Sequence, residues 1–308
     1  MEYWQLKQMQ ELPLEVKILK TQQRIREWYE YWGGKVYVSF SGGKDSTVLL
    51  NIAREIYPDV PAVFVDTGLE YPEIKEFVKT IDNVITLRPK MSFAEVINKH
   101  GYPVVSKLVS RFVKDLSGNP SETTKNLRLN GIKKDGSKAH SSNVLAKKWR
   151  YLVNAPFKIS NRCCDIMKKN PMKKYEKETG RHAIIGTMTH ESKLRETTYL
   201  KHGCNAFDAK KPISVPISFW TEQDVLQYIK KNNLSYASVY GDIVEDTDNN
   251  LKTTGEHRTG CMFCMFGCHL EKGENRFQRM KRTHPKIYDY CINKLGIGEV
   301  LDYIHVSY

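Results

Sequence analysis

Apolar residues recur every three to four positions between residues 14 and 32, and the run stops at Gly33-Gly34. That spacing predicts a helix with one buried stripe and a glycine C-cap. A short apolar run, Val36-Tyr37-Val38-Ser39-Phe40, follows; after a glycine pair, helical spacing resumes at Lys44. The alternation then repeats. Residues 60–67 read as a buried strand, 69–78 as a helix, 84–87 as a third strand and 93–99 as another helix. Such alternation predicts right-handed crossovers and a Rossmann-like α/β fold, a parallel sheet flanked by helices. Ligands of these sheets sit at the carboxyl ends of the strands, where residues 41–46 and Asp66-Thr67-Gly68 fall.

Between residues 117 and 148 the pattern turns polar, glycine-containing and lysine-rich. A flexible insertion or small hairpin is predicted there, read either as a solvated loop or as a basic arm that grips substrate. Regular spacing returns with a helix over 168–177, a strand over 183–186 and a helix over 222–231. No internal repeat and no linker rich in Pro, Gly or Ser divides the chain. The expected organisation is a helical lead over 1–34, an α/β domain over 35–240 carrying the polar insertion, and a cysteine-containing basic region over 241–308 packed on the same domain.

The hydrophobic share of 40% is ordinary for a soluble globular protein of 308 residues. No apolar run approaches the roughly 18 residues of a membrane span, and Met1-Glu2-Tyr3-Trp4-Gln5-Leu6-Lys7 lacks a signal-peptide pattern. A cytoplasmic protein without a membrane partner is expected. The formal net charge of +13 suits an anionic partner such as a nucleotide, a nucleic acid or both, with a solvated basic surface as the plain alternative.

The segment Ser41-Gly42-Gly43-Lys44-Asp45-Ser46 joins a strand to a helix and reads as a phosphate-binding loop. Glycines remove the side chains that keep an anion from the backbone, so N–H groups at the helix start can face phosphate oxygens. Lys44 is expected to add a mobile positive charge, and Asp45 to orient a group or hold magnesium. The spacing differs from the Walker pattern.

Seven cysteines in a chain expected to be cytosolic argue for metal or redox chemistry rather than disulfides. Cys163 and Cys164 are adjacent, and Cys261-Met262-Phe263-Cys264 forms a C-x-x-C. Adjacent thiolates diverge, which suits a multi-iron cubane better than one tetrahedral ion; zinc and free thiols are the competing readings. Cys268 leaves a second ligand count open, in which Cys261, Cys264 and Cys268 bind metal and one of the adjacent pair carries sulfur. Cys204 and Cys291, isolated in sequence, read as buried thiols.

The Ser-Gly-Gly-Lys-Asp-Ser loop resembles that of the PP-loop family, the adenine nucleotide alpha hydrolases. The Cys-Cys and Cys-x-x-Cys pairs resemble the 4Fe-4S ligands of adenylyl-sulfate reductases. Together with Asp66-Thr67-Gly68 they make residues 35–268 look like the phosphoadenosine phosphosulfate (PAPS) reductase family. Gly186, Glu191-Ser192 and Arg195 fit that family's strand glycine, acidic residue, serine and arginine. Pro216-Ile217-Ser218-Phe219-Trp220-Thr221-Glu222-Gln223-Asp224-Val225 resembles its proline, tryptophan and Asp-Val stretch, followed by Tyr236 and Tyr240. Core packing of Trp220 and helix capping near Thr221 are the structural alternative.

The resemblance implies an adenine nucleotide alpha hydrolase-like fold and a nucleotide, ATP or else adenylyl sulfate or PAPS, held by Ser39, Ser41, Gly42, Gly43, Lys44, Asp45, Ser46, Asp66, Thr67, Gly68, Gly186 and Ser192. It implies catalytic roles for Lys44, Asp45 and Arg195, magnesium near Asp45 and Asp66, and a 4Fe-4S cluster on Cys163, Cys164, Cys261 and Cys264. Two departures from reductases stand out. Met188 replaces an arginine common two places after the strand glycine, and no cysteine follows Cys291. The expected activity is therefore ATP-dependent sulfur transfer or thiolation by cleavage between the alpha and beta phosphates. Sulfonucleotide reduction to sulfite and a non-catalytic iron-sulfur sensor are the alternatives. Expected partners are a sulfur or electron donor protein and a nucleic-acid acceptor, for which Arg276-Phe277-Gln278-Arg279-Met280-Lys281-Arg282 is a candidate basic stretch.

Overall fold

The computed structural model describes residues 2–308. Ten strands lie among them: β1 (Val36–Ser39), β2 (Ala62–Val65), β3 (Val84–Leu87), β4 (Val104–Val105), β5 (His182–Ile185), β6 (Asn205–Ala206), β7 (Ile213–Ser214), β8 (Ile243–Glu245), β9 (Leu251–Thr253) and β10 (Met265–Phe266). The chain divides into two compact, interleaved units. The first comprises the chain up to Asp66, Glu70–Arg88 and Pro171–Thr259; the second comprises Thr67–Leu69, Pro89–Asn170 and Gly260–Tyr308. The stretch 35–240 thus contributes to both.

The first unit is the expected α/β body. Its six-stranded sheet runs β3-β2-β1-β5-β7-β6, parallel except for the β6–β7 edge pair. β1 is central because Val36, Tyr37 and Val38 are apolar on both faces and fully buried. Successive strands run outward from β1 to β2 and β3, whereas β5 lies on its other side in register, Val36 opposite His182 and Ser39 opposite Ile185. The β1/β5 gap is therefore the topological switch point of the sheet.

The helix Leu14–Tyr31 buries Lys17, Thr21, Ile25 and Trp28, one stripe at helical spacing. Its Thr21 hydroxyl accepts from the Trp220 indole N–H at 3.0 Å. Trp220 is fully buried, and Thr221 caps the helix Glu222–Lys231 by accepting from the Asp224 N–H. The proline-tryptophan stretch therefore has the structural role weighed for it. β8 and β9 form a separate antiparallel hairpin.

The second unit is mostly helical, with one short parallel pair, β4 and β10. Of the two forms expected for the polar insertion, flexible or a small hairpin, the structure shows the second, beside helical turns. The insertion holds a capped turn of helix at Glu122–Lys125, a wide turn at Asn126–Asn130 and a small hairpin closed between Ile132 and Lys138. Long-range polar bonds fix it: Leu145 N–H donates to the Arg128 carbonyl at 2.8 Å, and the Arg128 guanidinium pairs with Asp115 at 2.9 Å.

Candidate functional site

In the first unit, β1 ends at Ser39 and the chain turns through Gly42 and Gly43 into the helix Lys44–Ile56. Gly42 has φ +71°, and a Cβ there would stand 2.8 Å from methyls of both Ile74 and Val78. Left-handed backbone and close packing together demand glycine. Gly43 is the N-cap, so the helix start carries the positive pole suited to an anion, with the Gly43 N–H donating to Ser41 Oγ at 3.3 Å and the Lys44 N–H to Tyr240 Oη. Ser41 and Ser46 brace the turn: their hydroxyls lie 3.0 Å apart, and Ser46 Oγ donates to the Gly43 carbonyl at 2.9 Å. Gly186, just past β5, packs so closely that a Cβ would meet the Asp45 carbonyl oxygen and Ser46 Cα at 3.2 Å. The two glycine positions expected from sequence therefore meet at the switch point.

Lys44 corrects an expectation. Its side chain is not a mobile charge but 5% exposed, with Nζ 3.2 Å from both Asp45 Oδ1 and Glu222 Oε1 and 3.4 Å from the His257 carbonyl. Burial disfavours the ammonium, yet the Asp45 and Glu222 carboxylates outweigh it and raise the pKa. The lysine is thus a preoriented group whose charge its two carboxylate partners favour. Its backbone N–H donates to Tyr240 Oη at 3.2 Å, and Tyr240 Oη lies 2.6 Å from Thr259 Oγ1.

Arg195 and Arg258 both pair with Glu191, the second at 4.0 Å. Desolvation and the Arg258 charge lower the Arg195 pKa while Asp45 raises it, so Arg195 lies in the field of the loop carboxylate. His190, held below its ordinary range by desolvation, also senses Arg258, Glu222 and Asp45. Arg258, His257, Thr259 and His190 were absent from the sequence-derived set.

Other expected positions have plainer surroundings. Ser192 caps the helix Lys193–His202, accepting from the Arg195 N–H at 3.3 Å. Ser39 closes β1. Asp66 faces Lys75 Nζ at 3.0 Å and Arg88 Nε at 3.8 Å. Both carboxylates expected near magnesium, Asp45 and Asp66, thus have cationic partners. Met188 is buried, and its N–H donates to Glu191 at 2.9 Å.

In the second unit, Thr67 and Gly68 form a turn in which Thr67 Oγ1 accepts from the Leu69 N–H at 3.2 Å and Gly68 has φ +76°. The Leu69 carbonyl then accepts from the Met262 N–H at 2.8 Å. Cys163, Cys164, Cys261 and Cys264 line one cavity there, with Leu69, Phe93, Pro103, Met167, Lys168 and Phe263 completing the wall. It is partly open to solvent, with a cavity volume of about 30 Å³.

Cys163 and Cys164 open a helix whose next five residues, Asp165–Lys169, form a wide π turn, and their sulfurs lie 3.9 Å apart. Cys163 Sγ donating to Cys164 lowers the Cys164 pKa, burial opposes it, and Lys107, Lys168 and Lys169 lower it further; the Cys163 thiol is raised correspondingly. Cys261 to Cys264 is a tight turn, with the Cys264 N–H donating to the Cys261 carbonyl at 3.1 Å. β10 follows at once and pairs with β4, while the Arg276 guanidinium donates to the Cys264 carbonyl at 2.9 Å. Burial and the Cys261 charge push the Cys264 thiol up to about 12. In β4, Val105 has φ +62°, an uncommon conformation for a β-branched residue, and its carbonyl accepts from the Gly267 N–H at 2.9 Å.

The remaining cysteines are not among the residues that line that cavity. Cys268 is 1% exposed, donates to the Met265 carbonyl at 3.1 Å, and burial pushes its thiol up to about 11. Cys291 is fully buried and its thiol is raised by that burial. Cys204 is buried beside Tyr199 in the first unit.

No helix is long and apolar enough to cross a membrane among the described residues. An uncharacterized protein of Methanocaldococcus jannaschii is 27% identical over 281 residues, covering 88% of this chain and 51% of its own. This chain thus spans about half the length of that relative. The adenosine 5'-phosphosulfate reductase of Lysinibacillus sphaericus is 23% identical, over 78% of this chain and 77% of its own. The U34-tRNA thiolase NcsA of Methanococcus maripaludis, solved with its [4Fe-4S] cluster, is 14% identical over 95% of this chain and 82% of that one, at a TM-score of 0.37. The phosphoadenosine phosphosulfate reductase domain matches residues 35–116 and 108–265, and with most of its length in that match the chain belongs to this family.

Proposed function

We propose that the chain is an adenine-nucleotide enzyme that activates an acceptor oxygen with ATP and exchanges it for sulfur. In the first step the acceptor oxygen attacks the alpha phosphorus and pyrophosphate leaves. In the second, hydrosulfide displaces AMP, so the carbon or phosphorus centre gains sulfur without net oxidation. The glycine loop and helix start bind phosphates, and Lys44, oriented by Asp45 and Glu222, meets the charge that develops on the alpha phosphate and pyrophosphate. Arg195 and Arg258 supply further positive charge in the same unit.

The four-cysteine cavity suits a 4Fe-4S cluster. Its wall is largely apolar, its sulfurs come as two pairs from two chain segments, and lysine charges favour thiolate at Cys164. A cluster gives each thiolate its own iron, which suits adjacent cysteines whose side chains diverge. When bound, such a cluster supplies sulfur-handling or electron-transfer chemistry. The protein's own part is to hold four thiolates in that largely apolar wall.

One observation carries the choice of thiolation over reduction: Cys268 and Cys291, the cysteines beyond the C-x-x-C, are 1% and 0% exposed, so neither thiol is presented to a sulfonucleotide. Similarity to adenosine 5'-phosphosulfate reductases favours reduction as the second reading. Anaerobically purified protein should contain iron and acid-labile sulfide, lost in Cys→Ser variants at 163, 164, 261 or 264 and kept in Cys268→Ser and Cys291→Ser. With ATP, sulfide and the acceptor it should form AMP and pyrophosphate, reduced on the order of 100-fold by Lys44→Ala. Sulfite release from adenylyl sulfate or PAPS at a comparable rate, lost in Cys268→Ser or Cys291→Ser, overturns the assignment.

A further inference from the structure

The excess positive charge is not spread over the molecule. The second unit holds 24 of the 48 lysines and arginines but 10 of the 35 aspartates and glutamates, a net of +14, which leaves −1 for the first unit. A body of that charge attracts a polyanion.

The basic helix Arg276–Thr283 is a poor candidate for the contact surface, because its arginines are already paired. Arg276 and Arg279 hold Glu271, and Arg282 holds Glu274 at 3.0 Å. The polar insertion offers a different surface. Its hairpin exposes Lys133, Lys134 and Lys138, and it is fastened to the helical segment Lys147–Asn154 by the Arg150 guanidinium, which donates to the Leu129 carbonyl. On that segment Lys147 and Lys148 are exposed, Lys148 Nζ lies 5.3 Å from the Trp149 ring, and Trp149 and the 37%-exposed Tyr151 have ring centres 6.3 Å apart. Trp149 in turn meets the ring of His269 edge-on at 5.2 Å, next in sequence to Cys268 and on the chain that leaves the C-x-x-C turn.

We propose that Lys147, Lys148, Trp149 and Tyr151 form a platform for a single-stranded nucleic acid, with the lysines on phosphates and the two rings stacking on unpaired bases. Positive charge alone fits any polyanion; rings interleaved with lysines fit one that carries bases. This deepens the thiolation reading by naming the class of acceptor, yet binding is measured without ATP, so failure of binding and failure of catalysis are separate results.

The test uses the full-length, anaerobically purified protein and fluorescence anisotropy with labelled single-stranded 20-nucleotide RNA and DNA, duplex DNA, and unlabelled poly-glutamate as competitor. Single strands should bind more tightly than duplex, and the RNA and DNA arms identify the sugar preferred. Lys147→Ala/Lys148→Ala should lower the magnitude of the log K against log salt slope by about 1.4, from about 0.7 per phosphate contact. Tyr151→Ala and Trp149→Ala should each weaken single-strand binding about 5- to 150-fold. Trp149→Phe should restore most of it, which separates stacking from misfolding. Equal binding of duplex and single strand with no loss in Tyr151→Ala overturns the proposal. So does poly-glutamate that competes as well as oligonucleotide at equal charge, which would point to an acidic protein partner.

Discussion

His182 begins β5 with its ring stacked on Trp32, centroids 3.4 Å apart and planes 13° from parallel, while Trp28 meets it edge-on at 6.3 Å. Burial among these indoles lowers the imidazole pKa, and Glu176 only partly opposes it. The folded protein therefore binds this proton less readily than the unfolded chain, whose histidines titrate near about 6.5. His182 contributes stability that is present in full above that value and is lost as pH falls through the lower, folded value. The midpoint of urea unfolding should consequently drop between pH 7.5 and pH 5, and His182→Phe, which keeps an aromatic ring in the stack, should flatten part of that drop. An identical drop in the variant would rule His182 out as a contributor. Lys44 shows a complementary use of the same physics, since its ammonium keeps its charge despite burial because two carboxylates flank it.

Among the elements, the helices Leu14–Tyr31 and Glu222–Lys231 are joined by a buried ion pair, Lys17 Nζ lying 2.7 and 2.8 Å from the two Asp224 oxygens and 2.7 Å from the Gln10 carbonyl. Removing one partner strands the other charge away from water, so Lys17→Met should cost about 3–5 kcal/mol in urea unfolding. Adding Asp224→Leu should recover only part of this, because Asp224 also accepts from the Thr221 N–H at 2.7 Å at the helix start. A Lys17→Met variant of unchanged stability would show that the ammonium reaches solvent. Such pairings, 207 residues apart, leave no local trace in a sequence. β1, β2 and β3 with their helices were readable because each apolar run is long enough to show its period and is bounded by glycine or a polar turn. β6 and β7 have two residues each and show no period at all. The helix Lys193–His202 buries Tyr199 alone, so it lacks the stripe that announces a helix. The site follows the same rule. The glycine loop is legible because its chemistry is contiguous, whereas Thr259, bonded to Tyr240, and Arg258, paired with Glu191, join the site through tertiary folding.

At the scale of the whole molecule, each unit is assembled from three separated segments of chain, and the first draws on residues on both sides of 35–240. The first unit needs Lys17 from the leading helix and Thr259 from beyond residue 240. A fragment of residues 35–240 should therefore be recovered mainly in the insoluble fraction, while the full chain remains soluble under the same expression conditions; a monodisperse, folded fragment by size exclusion and circular dichroism would refute this. The interleaving also imposes a schedule on synthesis. β1 is the centre of the sheet, but β5, its neighbour on one side, is not translated until residues 182–185. At about 5–20 residues per second, that edge of β1 waits roughly 7 to 30 seconds on the ribosome for its partner. An apolar strand left open for so long is an invitation to mispairing between nascent chains, and chaperone capacity and growth temperature thereby become determinants of how much of this protein a cell can make.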